Sequence, residues 1–362
     1  MIKCDVLVVG GGPAGLTAAY FLSKKGLSTI VIDKQKSLGR INSEYDITEG
    51  SRIKHILDKI KIKPNKISNK SEWFSQNNSF LLESKIEDYY FKRGPDKDSI
   101  ENILKQKILK NIEILTNSNI KSIHKKKDKI LSVLIEGLEE EIRPNYVIAA
   151  DGTNSYIRTK MKMKSKKLVK IKGLGILAKT KDSNTFPHAK IYFDYKIAPG
   201  GYTYLGSVGK EIFFCVVIDS LFSDKISLKS SLDKFRYKYV KNNMDIINYF
   251  EGAGISGIQP TIVGNVIFVG AAAMLHDPFF GYGLNYSLES SYYATDSIIN
   301  NNLDVYREYT KKLHQNLNYI YEARKILRKA DNDFFDKLIQ AFNGNIDEKD
   351  ERLLKILETF GE

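Results

Sequence analysis

The chain has 362 residues, of which 42% are hydrophobic and 27% charged, an ordinary globular composition that excludes extended disorder. Its formal net charge is +13, but only ten of the 56 basic residues are arginine, which argues against dedicated nucleic-acid recognition. Two cysteines, Cys4 and Cys215, lie far apart in the chain, so we predict neither a disulfide framework nor a metal site. Because the first residues lack a secretory signal pattern, we expect a cytoplasmic protein.

The first predicted elements form a parallel βαβ unit. A buried strand at 4–9 leads into a glycine-rich turn at 10–15, a helix at 16–25 and a second strand at 28–32. Residues 38–90 are broken and polar and show no clear periodicity. The pattern then predicts a helix, a strand, an antiparallel meander and another buried strand, over residues 96–109, 112–116, 120–142 and 145–150 respectively.

The middle of the chain predicts a second, antiparallel sheet. Residues 168–218 are rich in Tyr, Phe, Val and Ile, and the clearest strands are 190–195, 201–208 and 211–218. A helix is then predicted at 228–250, a buried strand at 265–269 and another helix at 284–299. From residue 303 onward the chain predicts lysine-rich amphipathic helices.

The glycine-rich turn matches a dinucleotide-binding pattern. Its residues Gly10, Gly12, Pro13, Ala14 and Gly15 fit G-x-G-x-x-G between a strand and a helix, where close backbone approach and the helix N-terminus favour a pyrophosphate. Asp33, followed by Lys34, closes the next strand. Its carboxylate is suited to ribose hydroxyls and disfavours a 2′-phosphate, so the loop predicts FAD or NAD rather than NADP.

Two further motifs follow predicted strands. Asp151 and Gly152 begin a segment of the form D-G-x-x-S-x-x-R that ends at Arg158. Gly270 and Ala271 follow the strand at 265–269, and a turn of the form P-x-x-G-x-G-x-N then leads into a helix, with Pro278, Gly281, Gly283, Leu284 and Asn285.

With these three motifs in this order, the sequence resembles flavoproteins with a p-hydroxybenzoate-hydroxylase-like fold. The resemblance covers residues 4–299 and implies that the cofactor is FAD, with a helix N-terminus at the pyrimidine end of the flavin. Ala271 departs from the family pattern, which has an aspartate there for the ribityl chain. Its absence predicts looser binding, unless Asp277 compensates.

Within this group the chain is most similar to the geranylgeranyl reductase family, whose members saturate isoprenoid double bonds of membrane lipids. Tyr90-Phe91-Lys92-Arg93, followed by Asp98 and Leu104, resembles that family's R-x-x-x-D-x-x-L element and implies that Arg93 lies near the cofactor. The segment 198–209 resembles its aromatic substrate-lining segment and gives Gly201, Tyr202 and Tyr204 as substrate-binding residues. The family's cysteine-bearing segment has no clear match.

The resemblance implies a division into three parts. The FAD-binding domain is predicted to comprise residues 1–60, 92–165 and 258–302, and the substrate domain residues 61–91 and 166–257. Residues 303–362 form a C-terminal helical region. The fold class is therefore α/β, with a Rossmann-like FAD-binding domain and a second antiparallel β-sheet domain.

The implied reaction is reduction of a prenyl lipid by hydride transfer from reduced flavin, with a proton added to the other alkene carbon. Candidate proton donors are Tyr204 and His276. NADPH and reduced ferredoxin both stay open as electron donors, and the oligomeric state is open too. The net charge predicts peripheral contact with an anionic membrane.

Two alternative functions stay open. The first is a flavin-dependent monooxygenase acting on an aromatic substrate, because fold does not decide chemistry. The second is a non-catalytic lipid-binding relative, suggested by Ala271. A halogenase is disfavoured, because Trp73 is the only tryptophan and the W-x-W-x-I-P signature of flavin halogenases needs two.

Overall fold

A computed structural model describes residues 1–39, 41–181, 186–240 and 243–342. The elements in chain order are β1 (Ile2–Val9), α1 (Pro13–Ser23), β2 (Thr29–Ile32), β3 (Glu44–Glu49), α2 (Gly50–Ile60), β4 (Lys66–Phe74), β5 (Ser79–Arg93), α3 (Ile100–Lys107), β6 (Ile112–Leu115), β7 (Ile120–Lys126), β8 (Lys129–Ile135), β9 (Ile142–Ala149), α4 (Tyr156–Lys160), β10 (Lys166–Thr180), β11 (Ala189–Tyr192), β12 (Tyr202–Val208), β13 (Glu211–Asp219), α5 (Leu228–Tyr239), β14 (Met244–Ile258), β15 (Ile262–Val263), β16 (Val266–Phe268), α6 (Leu284–Ile299), α7 (Asp304–Lys329) and α8 (Asn332–Ala341).

The first sheet has the strand order β15-β16-β9-β1-β2-β6, with the β7–β8 hairpin attached to β9. β1 pairs in parallel with both β2 and β9, so the predicted βαβ unit is confirmed. Val6, Leu7 and Val8 of β1 are fully buried, as expected for a central parallel strand covered on both faces. This arrangement brings the turn after β1 and the turn after β9 to the same edge of the sheet.

The second sheet has the strand order β14-β10-β13-β12-β11-β4-β5-β3 and is antiparallel except for the β11–β4 pair. One face packs under α5 through Leu232 and Phe235. The other face carries an aromatic cluster that includes Tyr202, Tyr204 and Phe213. The predicted α/β architecture with a second, largely antiparallel sheet is confirmed.

The predicted helix at 228–250 is wrong in its second half. α5 ends at Tyr239, and the chain then forms β14, a strand of 15 residues that pairs with β10 along most of its length. The reason is tertiary: the edge of β10 offers an unpaired row of backbone groups, and the Ile and aromatic residues of this segment suit a sheet.

The segment 38–90, which showed no clear pattern, contains β3, α2, β4 and β5. α2 had a readable signal, because Ile53, Ile56, Leu57 and Ile60 recur at helical spacing and are all buried. β3 lies inside the predicted FAD-binding piece 1–60, but it belongs to the second sheet. It pairs there with β5, and Glu44 is opposite Arg93. β5 itself continues across the predicted boundary at 91. The boundaries in this region therefore need correction.

Within the predicted C-terminal region, α7 and α8 lie against both sheets, and residues 343–362 of that region lie outside the described residues. Tyr306 of α7 is fully buried and donates its hydroxyl to the carbonyl of Phe268 in the first sheet, at 2.6 Å. Phe335 of α8 stacks on Phe193 beside the second sheet, with ring centroids 4.9 Å apart. In the described residues, no helix combines the length and the apolar character needed to cross a membrane.

Candidate active site

The glycine-rich turn after β1 is built by close backbone approaches. Gly10 has φ +109, and a Cβ there would lie 2.3 Å from the carbonyl oxygen of Ala150. A Cβ on Gly15 would lie 1.8 Å from the carbonyl oxygen of Gly10, so α1 packs directly on the turn. By contrast, a Cβ on Gly12 would meet no protein atom within 4 Å. Gly12 therefore faces open space where a ligand can approach the backbone.

Asp33 holds this turn from the end of β2. Its carboxylate accepts hydrogen bonds from the backbone N–H of Gly11, at 2.5 Å, and of Gln35, at 2.6 Å. α1 begins with Pro13 at its first position, and among the described residues no side chain caps it. The positive end of the helix dipole is therefore available to an anion, as dinucleotide binding requires.

A cavity of about 490 Å³ lies beside the turn. Gly10, Gly12, Asp33 and Lys34 line one side of it, and Asp151 and Gly152 line the other. Asp151 is buried, which raises the pKa of its carboxyl group. Its Oδ2 accepts from the backbone N–H of Ile157 at 3.0 Å, whereas its Oδ1 has no hydrogen-bond partner in the part of the chain that the structure describes. This buried acceptor suits a hydroxyl-bearing ligand such as a nucleotide.

A second cavity, of about 330 Å³, adjoins the first. The residues Gly12, Arg93, Ala150 and Gly152 line both, so the two spaces share one wall. The second cavity is bounded on one side by the predicted cofactor residues Pro13, Ala14, Ala271, Gly281, Gly283 and Leu284, with the candidate His276. Its opposite side is aromatic, with Tyr45, Tyr202, Tyr204, Phe213, Phe250 and Tyr282.

Arg158, the last residue of the D-G motif, joins the second motif to the third. Its guanidinium donates to the carbonyl oxygens of Thr153 at 2.5 Å, Ala272 at 3.1 Å and Ala271 at 3.3 Å. Gly270 is buried, and its N–H donates to Ser290 Oγ at 2.8 Å. Ala271 itself lines the second cavity. The backbone of the third motif is thus fixed although the family's aspartate is missing.

Asp277 is the candidate replacement for that missing aspartate. Its Oδ1 accepts from the backbone N–H groups of Phe279 at 2.8 Å and Phe280 at 2.6 Å, so its carboxylate folds back on its own turn. Burial raises the pKa of this carboxyl group. Asp277 lines neither cavity, so its position gives no support to the possibility that it compensates for Ala271.

That loop ends at the N-terminus of α6. Gly283 precedes the first residue, Leu284, and, being a glycine, supplies no capping side chain of its own. The N–H of Asn285 donates to Thr48 Oγ1 at 3.1 Å, and its buried Oδ1 has no hydrogen-bond partner within the described ranges. The ring of His276 lies against Gly283, where a Cβ would come within 2.5 Å of its Nε2. The predicted helix N-terminus therefore borders the second cavity.

Tyr202 and Tyr204 lie on the same face of β12 and line the same cavity, as the strand alternation predicts. The hydroxyl of Tyr202 donates to the carbonyl of Phe280 at 2.5 Å, and the hydroxyl of Tyr204 lies 3.3 Å from that of Tyr90. Gly201 does not line the cavity. A Cβ there would lie 1.9 Å from the carbonyl oxygen of Val217, so Gly201 permits close strand approach.

Arg93 is buried between the two cavities. Its Nε donates to Glu101 at 2.7 Å, and its Nη1 pairs with Asp46. It therefore lies near the predicted cofactor space, but two carboxylates hold it. Four other predicted residues, Gly15, Gly270, Pro278 and Asn285, support the site without lining either cavity.

The sequence reasoning missed several wall residues, namely Glu44, Tyr45, Asp46, Phe213, Phe250 and Tyr282. Most come from β3, β13 and β14, strands that carry no glycine motif. The alternation of β13, which predicts that Phe213 shares a face with Cys215, was the signal that could have found one of them.

Two family descriptions match the chain. Residues 8–59 match an NAD(P)-binding Rossmann-like domain, and residues 85–225 match an FAD binding domain. The digeranylgeranylglycerophospholipid reductase of Thermoplasma volcanium is 28% identical, over 80% of this chain and 76% of the relative. The protein of the same name from Methanocaldococcus jannaschii is 26% identical, over 95% of this chain and 91% of the relative.

Solved structures share the fold. A protein of Thermoplasma acidophilum described as geranylgeranyl bacteriochlorophyll reductase-like superimposes with a TM-score of 0.84 at 22% identity, covering 99% of this chain and 100% of its own. A flavin-dependent brominase gives 0.72 at 14% identity, covering 99% and 93%. A probable FAD-dependent monooxygenase from Pseudomonas aeruginosa gives 0.63 at 16% identity, covering 93% and 100%. Likenesses at these identities bear on the fold alone, and they confirm the predicted one.

Proposed function

Because this chain is an FAD-dependent oxidoreductase similar to the geranylgeranyl reductases, we propose that it reduces isoprenoid double bonds of a prenyl lipid. The names of its sequence relatives support this substrate class. Saturating one double bond adds a hydride to one carbon and a proton to the other, so the reaction consumes two electrons and two protons per bond.

One observation carries the proposal: the nucleotide-type cavity and the aromatic cavity share the wall formed by Gly12, Arg93, Ala150 and Gly152. A ligand that begins at the uncapped end of α1 can therefore end beside an apolar space. Tyr202, Tyr204, Phe213 and Phe250 give that space the character that a long hydrocarbon chain requires.

The residues present fit FAD. In our proposal the turn Gly10–Gly15 and α1 hold the pyrophosphate, Asp33 and Asp151 serve hydroxyl groups, and the N-terminus of α6 meets the pyrimidine end. When bound, FAD supplies hydride chemistry, while the protein orients the substrate and excludes water. The positive end of the helix dipole at the N-terminus of α6 favours negative charge on the neighbouring ligand.

We propose Tyr204 as the proton donor. The residue lines the second cavity, where a substrate carbon can approach it. Burial raises the pKa of its phenol well above its ordinary value, so the group stays protonated and gives up its proton only to a strongly basic carbon. Its hydroxyl has a second phenol, that of Tyr90, 3.3 Å away. His276 is the weaker candidate, because its ring lies against Gly283, the residue just before α6, rather than on the aromatic side of the second cavity.

The proposal is tested with purified protein, FAD and digeranylgeranylglycerophospholipid under anaerobic conditions. NADPH and reduced ferredoxin are supplied in separate arms, since both electron donors stay open. We expect the lipid to gain pairs of hydrogen atoms, measured by mass spectrometry. Conversion of an aromatic substrate in air to a product with one added oxygen atom would instead support the monooxygenase. Protein that binds no FAD would support the non-catalytic relative.

We also propose that the protein contacts anionic membranes from its lysine-rich surface. Ala253 of β14 is exposed and lines the second cavity, and its register partner in β10 is the exposed Lys172. Lys166, Lys167 and Lys170 of the same strand are exposed too. Basic residues near an anionic surface contribute about 1 kcal/mol each.

Sedimentation with anionic and neutral vesicles tests this contact. The wild type should bind the anionic vesicles, and Lys170→Glu with Lys172→Glu should weaken binding more than the same change at Lys105 and Lys107 on α3. Equal binding to both vesicle types would contradict the electrostatic contact.

A further inference from the structure

The loop between the third glycine motif and α6 is held from three directions. Asp277 accepts from its backbone N–H groups, as described above, and the hydroxyl of Tyr202 donates to the carbonyl of Phe280. The third hold comes from α7, far outside every motif: Nη1 of Arg324 donates to the carbonyl of Phe279 at 3.2 Å. The rings of Phe280 and Tyr282 line the second cavity, so the position of this loop sets the shape of that space.

Arg324 is fully buried and cannot be explained as a surface charge. Its Nε and Nη2 donate to Oδ2 of Asp219 at 3.1 and 3.0 Å, and Asp219 is also fully buried. Asp219 ends β13, the strand that carries Phe213 and Cys215 of the cavity wall. One guanidinium thus joins the second sheet, α7 and the loop at the start of α6.

We propose that Arg324 is a positioning residue of the active site, which fixes the 277–283 loop and hence both the N-terminus of α6 and the aromatic wall. The planar guanidinium suits this role, because its donors point in fixed directions toward two partners at once. The consequence for flavin binding rests on the proposed function. The consequence for the loop itself does not.

Arg328 provides a matched control one helical turn later. Its Nε also donates to Oδ2 of Asp219, at 2.7 Å, and its side chain is 20% exposed. Among the described residues it makes no hydrogen bond to the loop carbonyls. Arg328→Met therefore weakens the same ion-pair cluster and leaves the loop contact in place.

The fluorescence of a single tryptophan can report on the position of the loop. Trp73 is the only tryptophan, and its ring meets that of Phe280 edge to face with centroids 5.8 Å apart. In the apoprotein, Arg324→Met should change the intensity and position of the tryptophan emission, whereas Arg328→Met should leave both as in the wild type. Phe280→Leu serves as the positive control, and in that background Arg324→Met should add little further change.

The second measurement is FAD binding by titration of the same variants. We expect Arg324→Met to weaken FAD about tenfold and to alter the absorption spectrum of the bound flavin, while Arg328→Met stays within about twofold of the wild type. If Arg324→Met does not fold, Arg324→Lys replaces it, because one ammonium group keeps the pair with Asp219 but cannot also reach the Phe279 carbonyl.

Failure of this inference and failure of the proposed function are distinguishable. Wild-type protein that binds no FAD would refute the proposed function and leave the emission comparison as the test of the loop. Emission and affinity that are the same in Arg324→Met, Arg324→Lys and the wild type would overturn the role of Arg324. Equal changes in the Arg324 and Arg328 variants would also overturn it, since they would show only a loss of stability.

Discussion

The two cavities are built in different ways. The first is lined mainly by residues of the turns that follow β1, β2 and β9 at one edge of a parallel sheet. The second is lined by residues from β3, β10, β12, β13 and β14 and from the loop before α6. The first cavity therefore depends on a few glycines and carboxylates at fixed spacing, and the second on the convergence of distant strands.

The aromatic cavity gives the largest expected effect. Tyr204→Phe keeps the ring and removes the proposed proton donor, so the rate of lipid reduction should fall about a hundredfold or more. FAD affinity should stay within about twofold, because the ring is kept and the hydroxyl that is removed is bonded to Tyr90 rather than to the glycine turn. Single-turnover reduction of the lipid measures the rate. A wild-type rate would move the role to His276, which His276→Asn then tests.

The glycine turn gives the next largest effect, and two of its residues should respond differently. Gly15→Ala places a Cβ against the Gly10 carbonyl, so the apoprotein should lose about 1–3 kcal/mol of unfolding free energy. Gly12→Ala has open space, so the apoprotein should keep its stability and lose about tenfold or more in FAD affinity. Urea denaturation and FAD titration separate the two. Unchanged FAD affinity in Gly12→Ala would place the ligand elsewhere.

Ala271 lines the second cavity together with the predicted cofactor residues. Ala271→Asp restores the family's carboxylate, which should tighten FAD binding about tenfold through a charge-assisted hydrogen bond. Isothermal titration measures the change, and Ala271→Asn is the uncharged control. Unchanged affinity in Ala271→Asp would mean that the ribityl chain does not pass this residue.

The smallest effect concerns the buried carboxyl group of Asp151. Burial raises its folded-state pKa, so the unfolded chain loses this proton at lower pH than the folded chain does. As pH rises between the two pKa values, Asp151 therefore lowers the unfolding free energy, and above both values the penalty is constant. The stability advantage of Asp151→Asn over the wild type should grow with pH through that interval and then level off. Urea denaturation across a pH series measures it, and a pH-independent difference would contradict the shift.

The difference between the two cavities also explains which parts of the site could be predicted from the sequence. The turn at Gly10–Gly15, the acid at Asp33 and the order of the three motifs are local patterns, and each has a backbone requirement that few sequences meet. Tyr202 and Tyr204 were paired correctly because alternation in a strand is equally local.

Other parts of the site depend on tertiary contacts that no local pattern carries. Phe250 was assigned to a helix because the local pattern of residues 228–250 fits a helix. Pairing with the edge of β10 makes its second half a strand instead. Asp277 was considered as a compensating group, yet the backbone N–H groups of Phe279 and Phe280 in its own loop bind one of its carboxylate oxygens. Arg324 lies in a lysine-rich helix whose sequence gives no indication that one cation is fully buried.

The strand order of the first sheet has a consequence for synthesis on the ribosome. β9 joins β1 directly, but β16, which flanks β9, is made only after the whole second sheet has emerged. The nascent nucleotide-binding half therefore waits with residues 147–149 of β9 unpaired on one side until more than two thirds of the chain is complete. Any fragment cut before residue 266 should need a chaperone to stay in solution, however intact its glycine turn.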